Sequence, residues 1–108
     1  MNVVAEISIV PLGTGSPGIG RFVAACVEVL RRRGVKYQVT PMGTVVEGEL
    51  DAVLDAVREM HEVPFRAGAE RVVTTVHIDD RRDKALTVEG KVRSVEERLA
   101  AGCGTSTV

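Results

Sequence analysis

The stretch QVTPMGTVVEGE, Gln38 to Glu49, decides how this chain folds. Two runs rich in β-branched residues flank Pro-Met-Gly, the pattern of a tight reversal between two strands. Taking Pro41-Met42-Gly43 as the turn pairs Thr40 with Thr44 and sets Tyr37 opposite Glu47. Cross-strand partners share a face, and on this register that face also carries Val39 and Val45. Glu47 then aims a carboxylate among apolar side chains, which is costly unless something satisfies it. It is the first candidate for a ligand contact. The alternative is structural: Glu47 caps the second helix or pairs with an arginine.

Working outward, Gly48-Glu49 leads into a helix to about Arg66, with Leu50, Val53, Leu54, Val57 and Met60 inward and His61 at the margin. Its early acids, Glu49 and Asp51, suit a helix N-terminus. Gly68 stops it, and Pro64 predicts a kink or a frayed last turn. Upstream, residues 3–10 (VVAEISIV) alternate as a strand, with Val3, Ala5, Ile7 and Ile9 on one face. Ser16-Pro17 reads as N-cap and first helical residue. The helix that follows carries Ile19, Phe22, Val23, Cys26, Val27 and Leu30 at helical spacing and ends at Gly34. Downstream, residues 71–78 (RVVTTVHI) form a fourth strand. A polar loop, DDRRDKAL, leads to a third helix over Val88–Ala100 with a narrow stripe of Val88, Val92, Val95 and Leu99.

This order is βαββαβ plus a C-terminal helix. It predicts an α+β, ferredoxin-like antiparallel sheet with strands 1 and 3 central and two helices on one face. Residues 1–100 read as a single domain and 101–108 as a flexible tail. The second sheet face would carry Val4, Glu6, Ser8, Val10, Gln38, Thr40, Val46, Val73, Thr75 and His77. That mixture is too apolar to be merely solvated and too polar for a dry core, so it predicts self-association.

At 108 residues, 44% apolar and 27% charged, the chain is an ordinary globular one with a thin core. Aromatic residues are only 3%, so Val, Leu, Ile and Ala must fill that core. A net charge of −1 gives no field for nucleic acid. No apolar run reaches membrane-spanning length, and Glu6 interrupts any signal-like start. Cys26 and Cys103 read as free thiols, which suits a reducing cytoplasm.

In the expected topology, Gly13-Thr14-Gly15-Ser16, Tyr37 and Glu47 converge at one edge of the sheet. Helix-start N–H groups favour electron-rich atoms, Tyr37 offers a ring, and Glu47 accepts from an amino group or protonated ring nitrogen. Gly13-x-Gly15-x-x-Gly18 has the form of a dinucleotide fingerprint. It lacks the Rossmann length and the ribose-binding acid, so it reads as a tight loop entering a helix. His61 and His77 lack a metal-type cluster of ligands, and Cys103 has no partner base. The charged run from Asp79 to Lys84 reads as a solvated loop. There is no nucleophile–base pairing and no paired catalytic carboxylates, so no cofactor, metal or enzymatic step is expected.

The pieces PLGTGSP, YQVTPMGTVVEGELDAVLDAVREMHE, GAERVVTTVHIDDRRDK and KVRSVEERL together resemble the small thiamine-binding-protein family, from about Val3 to Leu99. The resemblance implies a ferredoxin-like fold, dimers and tetramers formed through the sheets, and binding of thiamine or its hydroxymethylpyrimidine moiety. The family's motifs fall on Gly13 to Ser16, on Tyr37 and on Met42 to Gly48. They give Thr14, Gly15, Ser16, Tyr37, Met42, Thr44 and Glu47 as ligand-binding residues. The expected function is a cytosolic carrier or sensor. Alternatives are an assembly or regulatory subunit with an effector pocket, and an enzyme using Glu47 as a base. No membrane or nucleic-acid partner is expected.

Overall fold

A computed structural model describes residues 2–13, 15 and 20–102. Thr14, Ser16, Ile19 and the tail from Cys103 lie outside the described residues. The elements are β1 (Asn2–Leu12), α1 (Gly20–Arg33), β2 (Lys36–Thr40), β3 (Gly43–Glu49), α2 (Leu50–Arg66), β4 (Arg71–Asp79) and α3 (Val88–Ala100). The strands form one antiparallel sheet in the order β2-β3-β1-β4. This is the expected ferredoxin-like α+β arrangement, with β1 and β3 central.

Alternation along β1 separates the two layers. Val3, Ala5 and Ile7 face α1 and α2 and join Val46, Cys26, Val29, Leu30, Val53, Ala56 and Met60 in one buried cluster. Leu30 is fully shielded, a burial that stabilises by about 1.5–3 kcal/mol. The Cys26 thiol donates to the Met60 carbonyl at 3.5 Å, tying α1 to α2 through the core. At the surface, Glu59 accepts from both Arg32 and Arg33. Gly34 closes α1 at φ 71°, and Val35 N–H returns to the Leu30 carbonyl at 3.0 Å, as a helix C-cap requires.

One expectation about an inward face fails. Leu54 is 44% exposed, and Ala56 takes its place in the core. The buried positions of α2 are Val53, Ala56, Met60 and Pro64, a stripe from which Leu54 is rotated away, and the small Ala56 lets the helix lie close. The stripe of α3 also points outward: Val92, Val95 and Leu99 are each more than half exposed, and α3 buries no residue.

The hairpin differs from expectation by one residue, which changes much. Thr40 pairs with Gly43, Val39 with Thr44, Tyr37 with Val46 and Lys36 with Glu47. The reversal is therefore the two residues Pro41-Met42. Thr40 braces it: its hydroxyl donates to the Gly43 carbonyl at 2.8 Å and accepts from the N–H groups of Met42 and Gly43. Gly43 does not have a positive φ. Its glycine is needed because a Cβ there would stand 3.2 Å from Glu6 Cγ and from the Ile7 carbonyl oxygen. The slip sends Tyr37 and Val39 to the helix-bearing face and Glu47 to the outer face. Val46, expected outside, is fully buried in the core.

Candidate functional site

The register also fixes which ends of the elements meet. Ile7 pairs with Thr44 and Val4 with Glu47. Gly13, just beyond the end of β1, therefore lies nine residues along from the level of Glu47, roughly 30 Å at an ordinary strand rise. The expected convergence of the 13–16 loop with Tyr37 and Glu47 is thus corrected. In an alternating antiparallel sheet, the end of β1 meets the β2–β3 reversal, while the end of β3 meets the start of α2 at the far side. Met42 and Thr44 lie at the β1-exit end with Gly15. Tyr37 and Glu47 lie at the other end, on opposite faces.

Glu47 is already occupied. Its Oε1 accepts the Val88 N–H at 2.9 Å, so it caps the first turn of α3 from the neighbouring sheet. Its side chain is only 11% exposed, and Lys36 Nζ stands 3.8 Å from the other carboxylate oxygen. Thr87 supplies the usual cap, its hydroxyl accepting from Gly90 N–H at 2.9 Å. Lys36 also meets Glu89 at 2.6 Å, and Lys91 meets Asp79. The Glu89 carboxylate holds the Lys36 ammonium above its ordinary pKa. These contacts pin the start of α3 to the outer face and leave its remainder projecting.

A different pocket opens at the β1-exit end. On the β3 side, β1 has its last partner at Ile7–Thr44, yet it continues beside β4 to Leu12–Arg71. The missing strand leaves a notch between β1 and the hairpin tip. The notch is a cavity of about 450 Å³ walled by Ile7, Ile9, Val23, Val39, Pro41 and Gly43, with Cys26 and Met60 beneath and Met42 at the rim. Ser8, Val10, Thr40 and Thr44 complete it.

Thr44 is the exceptional member. It is the buried polar residue of the described chain, 5% exposed. Its hydroxyl makes no hydrogen bond among the described residues, and no side-chain polar atom among them is sealed away from solvent without a partner. The hydroxyl therefore faces the cavity. Three sulfur-bearing side chains, Cys26, Met42 and Met60, line the same space, and polarizable sulfur packs well against aromatic rings. Burial pushes the Cys26 thiol up to about 11, which makes it a wall and not a nucleophile at neutral pH. Met42 is 82% exposed at the rim.

The pairing argument from sequence singled out Thr44 and Met42 only through the family motif, and it read Cys26 as packing. The signal for the notch lies in the strand lengths: an eleven-residue β1 beside a seven-residue β3 must overhang it. Thr14 and Ser16 lie outside the described residues. His61 Nδ1 stands 2.7 Å from the Thr74 hydroxyl, and His77 stands 3.8 Å from Glu6 on the outer face. No group of three or more metal-binding side chains occurs among the described residues, and no described helix is long and apolar enough to cross a membrane.

The sequence matches a family model described as thiamine-binding protein over residues 5–96. It is 41% identical over 100 residues to YqgV of Bacillus subtilis, covering 89% of this chain and 96% of that one. It is 44% identical over 98 residues to a protein of Methanothermobacter thermautotrophicus, covering 90% and 99%. Among solved structures, a hypothetical protein of Methanocaldococcus jannaschii superposes with a TM-score of 0.81 at 40% identity, covering 89% of this chain and 97% of that one. A Thermotoga maritima protein, assigned provisionally to thiamine biosynthesis or salvage, superposes with a TM-score of 0.73 at 28% identity, covering 88% and 99%. The match of family model, relatives and fold over nearly the whole domain means that the chain belongs to the thiamine-binding protein family.

Proposed function

We propose that this protein binds thiamine, or its hydroxymethylpyrimidine moiety, without transforming it, as a carrier or sensor in thiamine metabolism. The observation that carries the reading is the unpartnered hydroxyl of buried Thr44 in a mostly apolar notch. A site of this kind, mostly apolar with a few placed polar groups, is how proteins hold small heteroaromatic ligands. The threonine hydroxyl both donates and accepts, matching the amino group or a ring nitrogen of an aminopyrimidine. Ile7, Val39 and Met60 supply apolar contact to the ring faces, and Met42 closes the rim. The segment from Gly13 to Ser16, which includes the proposed ligand residues Thr14, Gly15 and Ser16, follows directly from the overhanging end of β1. The family description and the Thermotoga relative support the ligand class.

Calorimetry with thiamine and with hydroxymethylpyrimidine tests this, with Thr44→Val in parallel. Removing one hydrogen bond of about 0.5–1.5 kcal/mol should weaken binding by up to about tenfold. Stability should hold, since valine keeps the shape and loses no bond within the protein. Saturable binding that Thr44→Val leaves unchanged would remove Thr44 from the site.

We also propose self-association into a dimer or tetramer, with the outward stripe of α3 seated on a second copy. Val92, Val95 and Leu99 form an apolar row on a helix anchored only at its start. A monomer in sedimentation velocity at micromolar concentration would eliminate this reading.

A further inference from the structure

The loop after β4 and one flank of α3 enclose a second cavity, of about 630 Å³, that shares no lining residue with the notch. Spacings of three and four set Lys91, Ser94 and Arg98 on one flank of α3, with Val95 at the border of the apolar row. Four cations (Arg81, Lys84, Lys91 and Arg98) and one carboxylate, Asp79, line this space. Lys91 is taken by Asp79, and Arg81 gives two hydrogen bonds to Asp83, at 2.5 and 2.8 Å. Asp80, next along the loop, is spent on Arg82, and Glu96 and Glu97 lie outside the lining. That leaves Lys84 and Arg98 with no ion pair among the described residues. Ser94, half-buried in the same wall, likewise has no hydrogen-bond partner for its hydroxyl among them. The N–H groups of Val88, Gly90 and Lys91 are spent on Glu47 and Thr87, so the field here comes from side chains and not from the helix start.

We propose that this cavity holds a phosphate-bearing anion, clamped between Lys84 of the loop and Arg98 in the last turn of α3, with Ser94 donating to it. Two unpaired positive charges match a phosphate dianion, and the chain's net charge of −1 makes their field local to the cavity. Arg98 offers a planar fork of N–H donors to two phosphate oxygens, Lys84 a point charge, and Ser94 an O–H donor. The volume exceeds what a bare phosphate fills and falls in the range of small-molecule sites. Ala85, Leu86 and Val95 supply apolar wall beside the cations, so a phosphate ester with an apolar body fits better than the free ion. The bound anion joins the loop to a helix that buries no residue of its own. Binding therefore holds α3 in place, which makes the cavity an effector site separate from the notch.

The test is an NMR titration of the full-length chain in 0.15 M salt with inorganic phosphate, phenyl phosphate and phenol, beside hydrogen exchange of α3. Both phosphates should shift the amides of residues 84–98 saturably, phenyl phosphate at the lower concentration, and phenol should not. Ligand at ten times its Kd should slow exchange in α3 by about tenfold. Arg98→Gln and Lys84→Gln, at exposed positions without ion pairs, should each weaken binding by roughly fivefold or more. Arg93→Gln, which removes the same charge from α3 outside the lining, should leave it unchanged. Equal affinity for the two phosphates would keep the site and assign it to the free ion. Phosphate binding that survives both Lys84→Gln and Arg98→Gln, or that Arg93→Gln weakens equally, would overturn the inference. So would the absence of saturable shifts with either phosphate.

Discussion

Replacing Glu47 with alanine should release α3 from the sheet while leaving the ligand pocket intact. The carboxylate accepts the Val88 N–H at 2.9 Å from a largely buried position, so water cannot readily take its place. Loss of such a cap costs about 1–2 kcal/mol. The other anchors of α3 are the ion pairs Lys36–Glu89 and Lys91–Asp79, whose side chains are about half exposed. Exposed pairs of that kind are screened by water and hold the helix only weakly. Because α3 buries no residue, it can open without disturbing the core. A cost near 1.4 kcal/mol is tenfold in an equilibrium. Hydrogen exchange should therefore show amide protection in α3 falling roughly tenfold, with β1 and β3 unchanged. Glu47→Gln keeps an acceptor oxygen and should retain part of the protection. Calorimetry should find the pyrimidine affinity of both variants within about twofold of the parent, since Glu47 points to the opposite face of the sheet and lies three residues, roughly 10 Å, along β3 from Thr44. Unchanged α3 protection together with lost ligand binding would refute this reasoning and return Glu47 to the ligand.

Two further outcomes follow from the hairpin and the outer surface. Gly43→Ala should destabilise the domain by about 1–3 kcal/mol, read as a lower Tm, because the added methyl meets the fixed Ile7 carbonyl oxygen at 3.2 Å. An unchanged Tm would mean that the strands are not so closely apposed there. Val95→Glu, on the exposed stripe of α3, should shift the sedimentation profile towards monomer while leaving the Tm of the core transition within a few degrees; an unaltered oligomer would place the self-association surface elsewhere.

Local pattern made the elements legible. Alternation in residues 3–10 and the three-four spacing of Phe22, Cys26 and Leu30 reveal secondary structure without any tertiary knowledge, because burial imposes the period of the backbone on the sequence. The same spacing bounds α3 at Val88–Ala100. The order of those elements then leaves few topologies, and the observed one was among the commonest. The candidate site was less legible, since it depended on a single register. Gly43 looked like a turn glycine, and sequence does not distinguish a glycine required by positive φ from one required by a neighbouring carbonyl.

What the sequence determined by itself was thus the α+β architecture, the layer facing the helices in β1, and family membership through motifs spread over the chain. Tertiary structure alone decided which polar groups are spoken for. Glu47 stands forty-one residues from the N–H it caps, and nothing local announces that contact. Thr44 and Thr40 are the same residue type four positions apart, yet one hydroxyl braces the turn and the other faces an open notch. That difference arises from the overhang of β1 past the hairpin, a relation between strands that are adjacent in space and distant along the chain.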